Sequence, residues 1–109
     1  MQLEIFTTGG TIDKVYFNAK SKFDVGEPQI LEVLREANLS VDYQVTPLMR
    51  KDSIELTDQD RELVRKAVEA STAARIVITH GTDTMTDTAR ALSGIVGKTI
   101  VLTGAMQPA

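Results

Sequence analysis

The chain has no cysteine and a single histidine. The first absence excludes a disulfide framework and a thiolate metal site. Together they leave only carboxylates for a metal cage, and no spacing in the chain calls for a metal or another cofactor. Positive charge is also short: 12 Lys and Arg stand against 15 Asp and Glu, a formal net charge of −3. That balance lacks the basic footprint of a nucleic-acid binder. No apolar run approaches the roughly 20 residues needed to span a bilayer. Met1-Gln-Leu-Glu-Ile5 leads straight into a strand pattern, with neither the charged region nor the apolar core of a secretion signal. These absences predict a cytoplasmic protein with no nucleic-acid or membrane partner.

The common nucleotide and hydrolase signatures are missing too. Gly9-Gly10 is not a G-x-G-x-x-G fingerprint, no G-x-x-x-x-G-K-[ST] loop exists to cradle phosphates, and no G-x-S-x-G elbow is present. What is there is ordinary for a globular protein, 42% hydrophobic and 25% charged over 109 residues. A chain of this size forms one domain with a modest core, residues 1–109.

The organising stretch is Ile76-Val-Ile-Thr-His-Gly-Thr-Asp-Thr-Met85. A β-branched run that stops at glycine and passes through Asp-Thr into an amphipathic segment reads as strand, tight turn and helix start. Ligands of parallel α/β sheets sit at such strand ends. Residues 3–8 followed by Gly9-Gly10-Thr11-Ile12 repeat the same grammar. If the two strands are adjacent and parallel, Thr11 faces Thr82 and Asp83 across one cleft.

Around these strands the chain alternates. Residues 12–27 are irregular and read as a long excursion or β-hairpin over the cleft, a natural lid. Residues 28–37 have helical spacing behind Pro28. Residues 41–46 alternate with period two and stop at Pro47. The polar loop 48–53 brings Asp52 and Ser53 toward the cleft. Thr57-Asp-Gln-Asp60 resembles a capping box and starts a helix with Leu63, Val64, Ala67, Val68 and Ser71 on one face. Asp83 or Thr84 caps a third helix whose inner face holds Met85, Ala89, Leu92 and Ile95, and which ends at Gly97. Residues 99–103 form a strand expected to be buried on both sides. The order implies an α/β fold: three layers, doubly wound, with a mostly parallel sheet and a β-hairpin or loop excursion after the first strand.

The chemistry suggested by these residues has two readings. A threonine hydroxyl becomes a nucleophile when a base takes its proton and backbone amides stabilise the oxyanion; Thr11 stands beside two glycines and Asp83 could anchor a substrate amine. Thr11 and Thr82 equally fit the roles of cap or turn residue. Asp52 and Ser53 fit either a site or a turn, and Tyr16, Phe17 and Phe23 fit simple packing of the excursion. His80 reads as a partly buried strand-end residue rather than a catalytic base, because no triad pattern surrounds it.

Thr8-Gly-Gly-Thr-Ile12 and His80-Gly-Thr-Asp-Thr-Met85 resemble the two signature motifs of the bacterial-type L-asparaginases, and Gly104-Ala-Met-Gln-Pro108 after the next strand agrees. The resemblance runs over the whole chain. It implies that Thr11 is the nucleophile of an acyl-enzyme, that Thr82 is a second catalytic threonine, and that Asp83 binds the substrate's α-amino group. It places Asp52 and Ser53 in the loop that grips the α-amino and α-carboxylate groups, in the form typical of the cytoplasmic type. Gly10 and Gly81 provide close backbone approach, and Ala105 offers a carbonyl near the leaving amide.

Two departures accompany the resemblance. Phe23 falls where the family's loop tyrosine belongs, which leaves Tyr16 as the alternative loop tyrosine. The family's catalytic lysine lies beyond the last motif, and Lys14, Lys51 and Lys98 do not stand in its place. The expectation is therefore a domain truncated at its C-terminal end, weak in substrate binding and turnover. The implied partners are a small-molecule substrate, L-asparagine or L-glutamine, and further copies of the chain in a homodimer or homotetramer. The rival class is a non-catalytic module that binds asparagine or aspartate.

Overall fold

A computed structural model describes residues 2–10, 14–16, 23–25, 29–37 and 41–105. Strand β1 (Gln2–Thr7) is followed by two short strands, β2 (Lys14–Tyr16) and β3 (Phe23–Val25), which pair as an antiparallel hairpin. Helix α1 (Ile30–Ala37), strand β4 (Asp42–Pro47), a 3-10 turn (Ser53–Glu55) and helix α2 (Asp58–Ala70) come next. Strand β5 (Arg75–Thr79), helix α3 (Met85–Ala91) and strand β6 (Thr99–Thr103) complete the described elements. The main sheet has the order β4-β1-β5-β6, and every neighbouring pair is parallel. Pro47, which has no amide proton to donate, sits at the end of edge strand β4, where the ladder tolerates it.

The order determines the layers. The chain steps from β1 outward to β4, then back across β1 to β5. Right-handed crossovers in opposite directions need helices on opposite faces. The side chains agree: Ile30 and Leu34 of α1 pack on Ile5 with Leu3, Tyr43, Val45 and Val77. Val64 and Val68 of α2 pack on Phe6, Ile76, Ile78 and Leu92 from the other side. Alternate residues of one strand thus serve two cores, as the pleat dictates. Ile76, Ile78, Val64 and Val68 are completely enclosed, each contributing about 1.5–3 kcal/mol by leaving water. The reversal of direction between β1 and β5 is a topological switch point, and the C-terminal ends of these two strands open there into the two glycine turns.

Three local expectations need correction. Helix α3 ends at Ala91 rather than running to Gly97, and its buried residue is Thr88, whereas Ala89 is exposed. The inward position is polar because a buried histidine lies opposite it. Strand β6 is not buried on both sides: its residues alternate between exposed and half-buried, and Val101 is 50% exposed. It is an edge strand among the described residues, and half of that side chain is left uncovered. On α2, Leu63 lies outside the core face and is 46% exposed. The expected capping box is present in full, with Thr57 Oγ1 accepting from the Asp60 amide and the Asp60 carboxylate accepting from the Thr57 amide.

Candidate active site

The site is assembled from four segments that leave the C-terminal ends of the parallel strands. At the end of β1, the Thr8 amide and hydroxyl both donate to the Thr79 carbonyl, at 3.2 and 2.8 Å. This ties the two motif strands together beyond their last ladder pair, Thr7 and Thr79. The chain then turns on Gly9 and Gly10, whose φ values are +103° and +89°. A side chain is strained in that region of backbone space.

Gly10 needs its hydrogen for a second reason. A Cβ there would lie 2.6 Å from the Gly81 amide nitrogen and 2.8 Å from its Cα, so the first turn rests directly on the backbone of the second. Gly81 is in turn covered by Ser53: a Cβ on Gly81 would meet Ser53 Oγ at 2.7 Å and Cβ at 2.8 Å. From the fourth segment, a Cβ on Gly104 would overlap the His80 carbonyl oxygen. The motifs converge because their meeting points have no side chains.

Ser53 orients the second motif. Its hydroxyl oxygen accepts from the amides of Asp83 (3.0 Å) and Thr84 (3.3 Å), and its carbonyl accepts from the Thr84 hydroxyl at 2.8 Å. The start of α3 is therefore capped from another loop, although Thr84 holds the N-cap position in sequence. Ser53 reaches there because loop 48–53 is fastened to the end of β1. Leu48 and Met49 amides donate to the Thr7 carbonyl, and the Lys51 amide to that of Thr8.

His80 supports the same turn from inside. It is completely buried, with Nδ1 2.6 Å from the Gly81 carbonyl and Nε2 2.8 Å from Thr88 Oγ1. A carbonyl only accepts, so Nδ1 carries the proton and Nε2 accepts from the Thr88 hydroxyl, which accepts from Arg61 Nε at 3.2 Å. Burial pushes the His80 pKa below its ordinary value and the Arg61 charge adds to this; the bond to Gly81 opposes both. The imidazole is held neutral in one tautomer, which suits it to fix the turn and not to shuttle protons.

A family model described as "Asparaginase, N-terminal" matches residues 2–109. The chain belongs to the asparaginase family. Solved structures similar to it include the thermostable L-asparaginase from Thermococcus kodakarensis, at 28% identity and a TM-score of 0.80, covering 99% of this chain and 35% of that one. A probable cytoplasmic L-asparaginase from Campylobacter jejuni is 28% identical with a TM-score of 0.77, over 98% of this chain and 33% of that one. L-asparaginase I from Vibrio cholerae is 29% identical with a TM-score of 0.78, over 98% and 34%. The chain spans about a third of the length of the asparaginase structures it matches.

Within this asparaginase domain, Gly10, Ser53 and Gly81 are buried and in contact, while Asp52, next to Ser53, and Ala105, next to Gly104, are half-buried. Thr82 and Asp83 are exposed, and Asp83 is joined to Ser53 through its amide. Thr11 lies outside the described residues. Tyr16 ends β2 and is the register partner of Phe23 on β3; their side chains, and the expected lid role of the excursion, also lie outside the description. Sequence reasoning missed the Arg61–Thr88–His80 relay. Its signal was a threonine four residues after Thr84, on a helix face otherwise read as apolar.

Proposed function

We propose that this domain is the part of an L-asparagine amidohydrolase that holds the nucleophile and grips the substrate's amino-acid end. The observation that carries the reading is the contact of Gly10 with Gly81 and of Gly81 with Ser53, which unites the two signature motifs and the loop Lys51-Asp-Ser53. In this reading the Thr11 hydroxyl attacks the side-chain amide carbon of L-asparagine. Its proton passes toward the leaving nitrogen, with Tyr16 as the loop tyrosine in the relay, and ammonia departs. Water then cleaves the Thr11 ester to give aspartate and restore the hydroxyl. Thr82 is the second catalytic hydroxyl, Asp83 and Asp52 bind the α-amino group, Ser53 binds the α-carboxylate, and the Ala105 carbonyl faces the amide. The name of the Campylobacter relative supports a cytoplasmic setting for the reaction. The half-exposed edge strand β6 supports association into a homodimer or homotetramer.

The test is ammonia release from L-asparagine by the purified protein beside Thr11→Val and Tyr16→Phe, with calorimetric titration of L-aspartate. Thr11→Val is expected to lower turnover on the order of 10³-fold or more while leaving aspartate affinity nearly intact. Turnover that survives Thr11→Val would overturn the nucleophile assignment. Aspartate binding without any turnover in the unmutated chain would mean a half-built asparaginase pocket or a binding module.

A further inference from the structure

Loop 48–53 is pinned by backbone hydrogen bonds to the end of β1, and its far end runs through the 3-10 turn into α2. One side chain spans the two attachments. Lys51, whose amide donates to the Thr8 carbonyl at 2.9 Å, extends its ammonium to Asp60 Oδ2, also at 2.9 Å. The same carboxylate oxygen accepts from the Thr57 amide at 2.9 Å. We propose that the Lys51–Asp60 pair is a positioning device. It clamps the span that carries Asp52 and Ser53, so that Ser53 stays on the Asp83 and Thr84 amides and the ligand-gripping groups stay in register. The role rests on the asparaginase reading only in what the ligand is.

An isolated surface ion pair is worth little, because two flexible side chains must be ordered to make it. Here one partner is already ordered. Asp60 is fixed by the capping box, and its side chain is only 17% exposed against 42% for Lys51. The two bonds to its carboxylate, first from the Thr57 amide and then from Lys51, hold its pKa below the usual value, so at neutral pH an ionised carboxylate faces a charged lysine. The lysine stem closes the short span 51–57 at both ends. Ser53, in its middle, cannot shift away from Asp83 and Thr84 without stretching that closure.

The pair can be removed without disturbing the helix start. Lys51→Met keeps the stem's apolar length and leaves both bonds of the capping box in place. Lys51→Arg keeps the charge. The readouts are amide hydrogen exchange by NMR at Asp83 and Thr84, with Ile78 as an internal reference in β5, and calorimetric titration of L-aspartate into the full chain. Lys51→Met is expected to speed exchange at Asp83 and Thr84 about threefold to fivefold with Ile78 unchanged, the scale of one partly sheltered ion pair. Aspartate affinity is expected to fall by a similar factor, and Lys51→Arg to restore both.

Unchanged exchange at Asp83 and Thr84 overturns the proposal, as does an equal rise at Ile78, which would signal general loosening. Aspartate affinity that is unaltered by Lys51→Met while the parent chain binds also overturns it. A parent chain that takes no aspartate defeats the asparaginase reading instead, and the exchange data then decide the clamp by themselves.

Discussion

After β1 the chain turns on Gly9 and Gly10, both with positive φ; after β5 it turns on a buried histidine and a glycine that has no positive φ. In sequence the two turns look alike, a threonine-ended strand running into glycine and small hydroxyl residues. The first is built from backbone freedom, and the side chains that brace it act before the glycines begin. The second has an ordinary backbone and is braced from three sides, by His80 beneath, Gly10 on one flank and Ser53 on the other. Glycine thus serves two purposes here. At Gly10 it supplies both a conformation and a space, whereas at Gly81 it supplies space alone.

The strongest test of that distinction is Gly10→Ala. It adds left-handed strain to an overlap with backbone atoms that cannot swing away, so a loss of about 3–5 kcal/mol is expected from chemical denaturation. A loss below about 1 kcal/mol would mean that the turns are not in contact. Gly81→Ala should cost less, about 2 kcal/mol, because its nearest neighbours are the Cβ and hydroxyl of one serine. Combining it with Ser53→Gly should recover part of that loss, while the same serine change should do nothing for Gly10→Ala. Equal behaviour in the two double variants would erase the comparison.

The third prediction concerns the brace that the first turn lacks. The folded-state pKa of His80 is lowered, so below the ordinary value of 6.5 the unfolded chain binds a proton that the folded one refuses. Stability is therefore complete above that pH and declines as the pH falls through it, with a slope of at most about 1.4 kcal/mol per pH unit from this group. His80→Gln should be less stable at neutral pH yet show a shallower decline between pH 7 and 5, measured as urea midpoints. Parallel profiles for the two proteins would mean that folding does not lower the His80 pKa.

Much of this architecture could be read from periodicity. The parallel order and the α2 capping box follow from patterns that local physics enforces, such as Thr57 and Asp60 three residues apart, whereas the irregular stretch after β1 left a hairpin and a loop excursion equally open. That the two motif turns and the loop bearing Ser53 share one cleft was read on the condition that their strands are adjacent, and the close approach at Gly10 and Gly81 came from motif resemblance, since nothing local says which strand lies next to which. The cap that Ser53 places on α3 was hidden because capping rules look along the chain, and this cap arrives from residues 30 and 31 positions upstream of its targets. Helix α3 was read too long, with an apolar face, because Leu92 and Ile95 continue the spacing after the hydrogen-bonded helix has stopped. Strand β6 looked like a central strand, since an apolar run is the same whether or not a neighbour covers it.

The bond from the Thr8 hydroxyl to the Thr79 carbonyl links positions 71 residues apart. In the order β4-β1-β5 the chain between these two positions passes through α1, β4 and α2 before β5 pairs with β1. Bringing the glycine turns together is therefore an entropically demanding closure of a long loop. On the ribosome, at about 5–20 residues per second, β1 waits several seconds with an unpaired edge before its central partner is made. The strand that carries the first motif is made before the strand that carries the second, so a chaperone has its longest opportunity there.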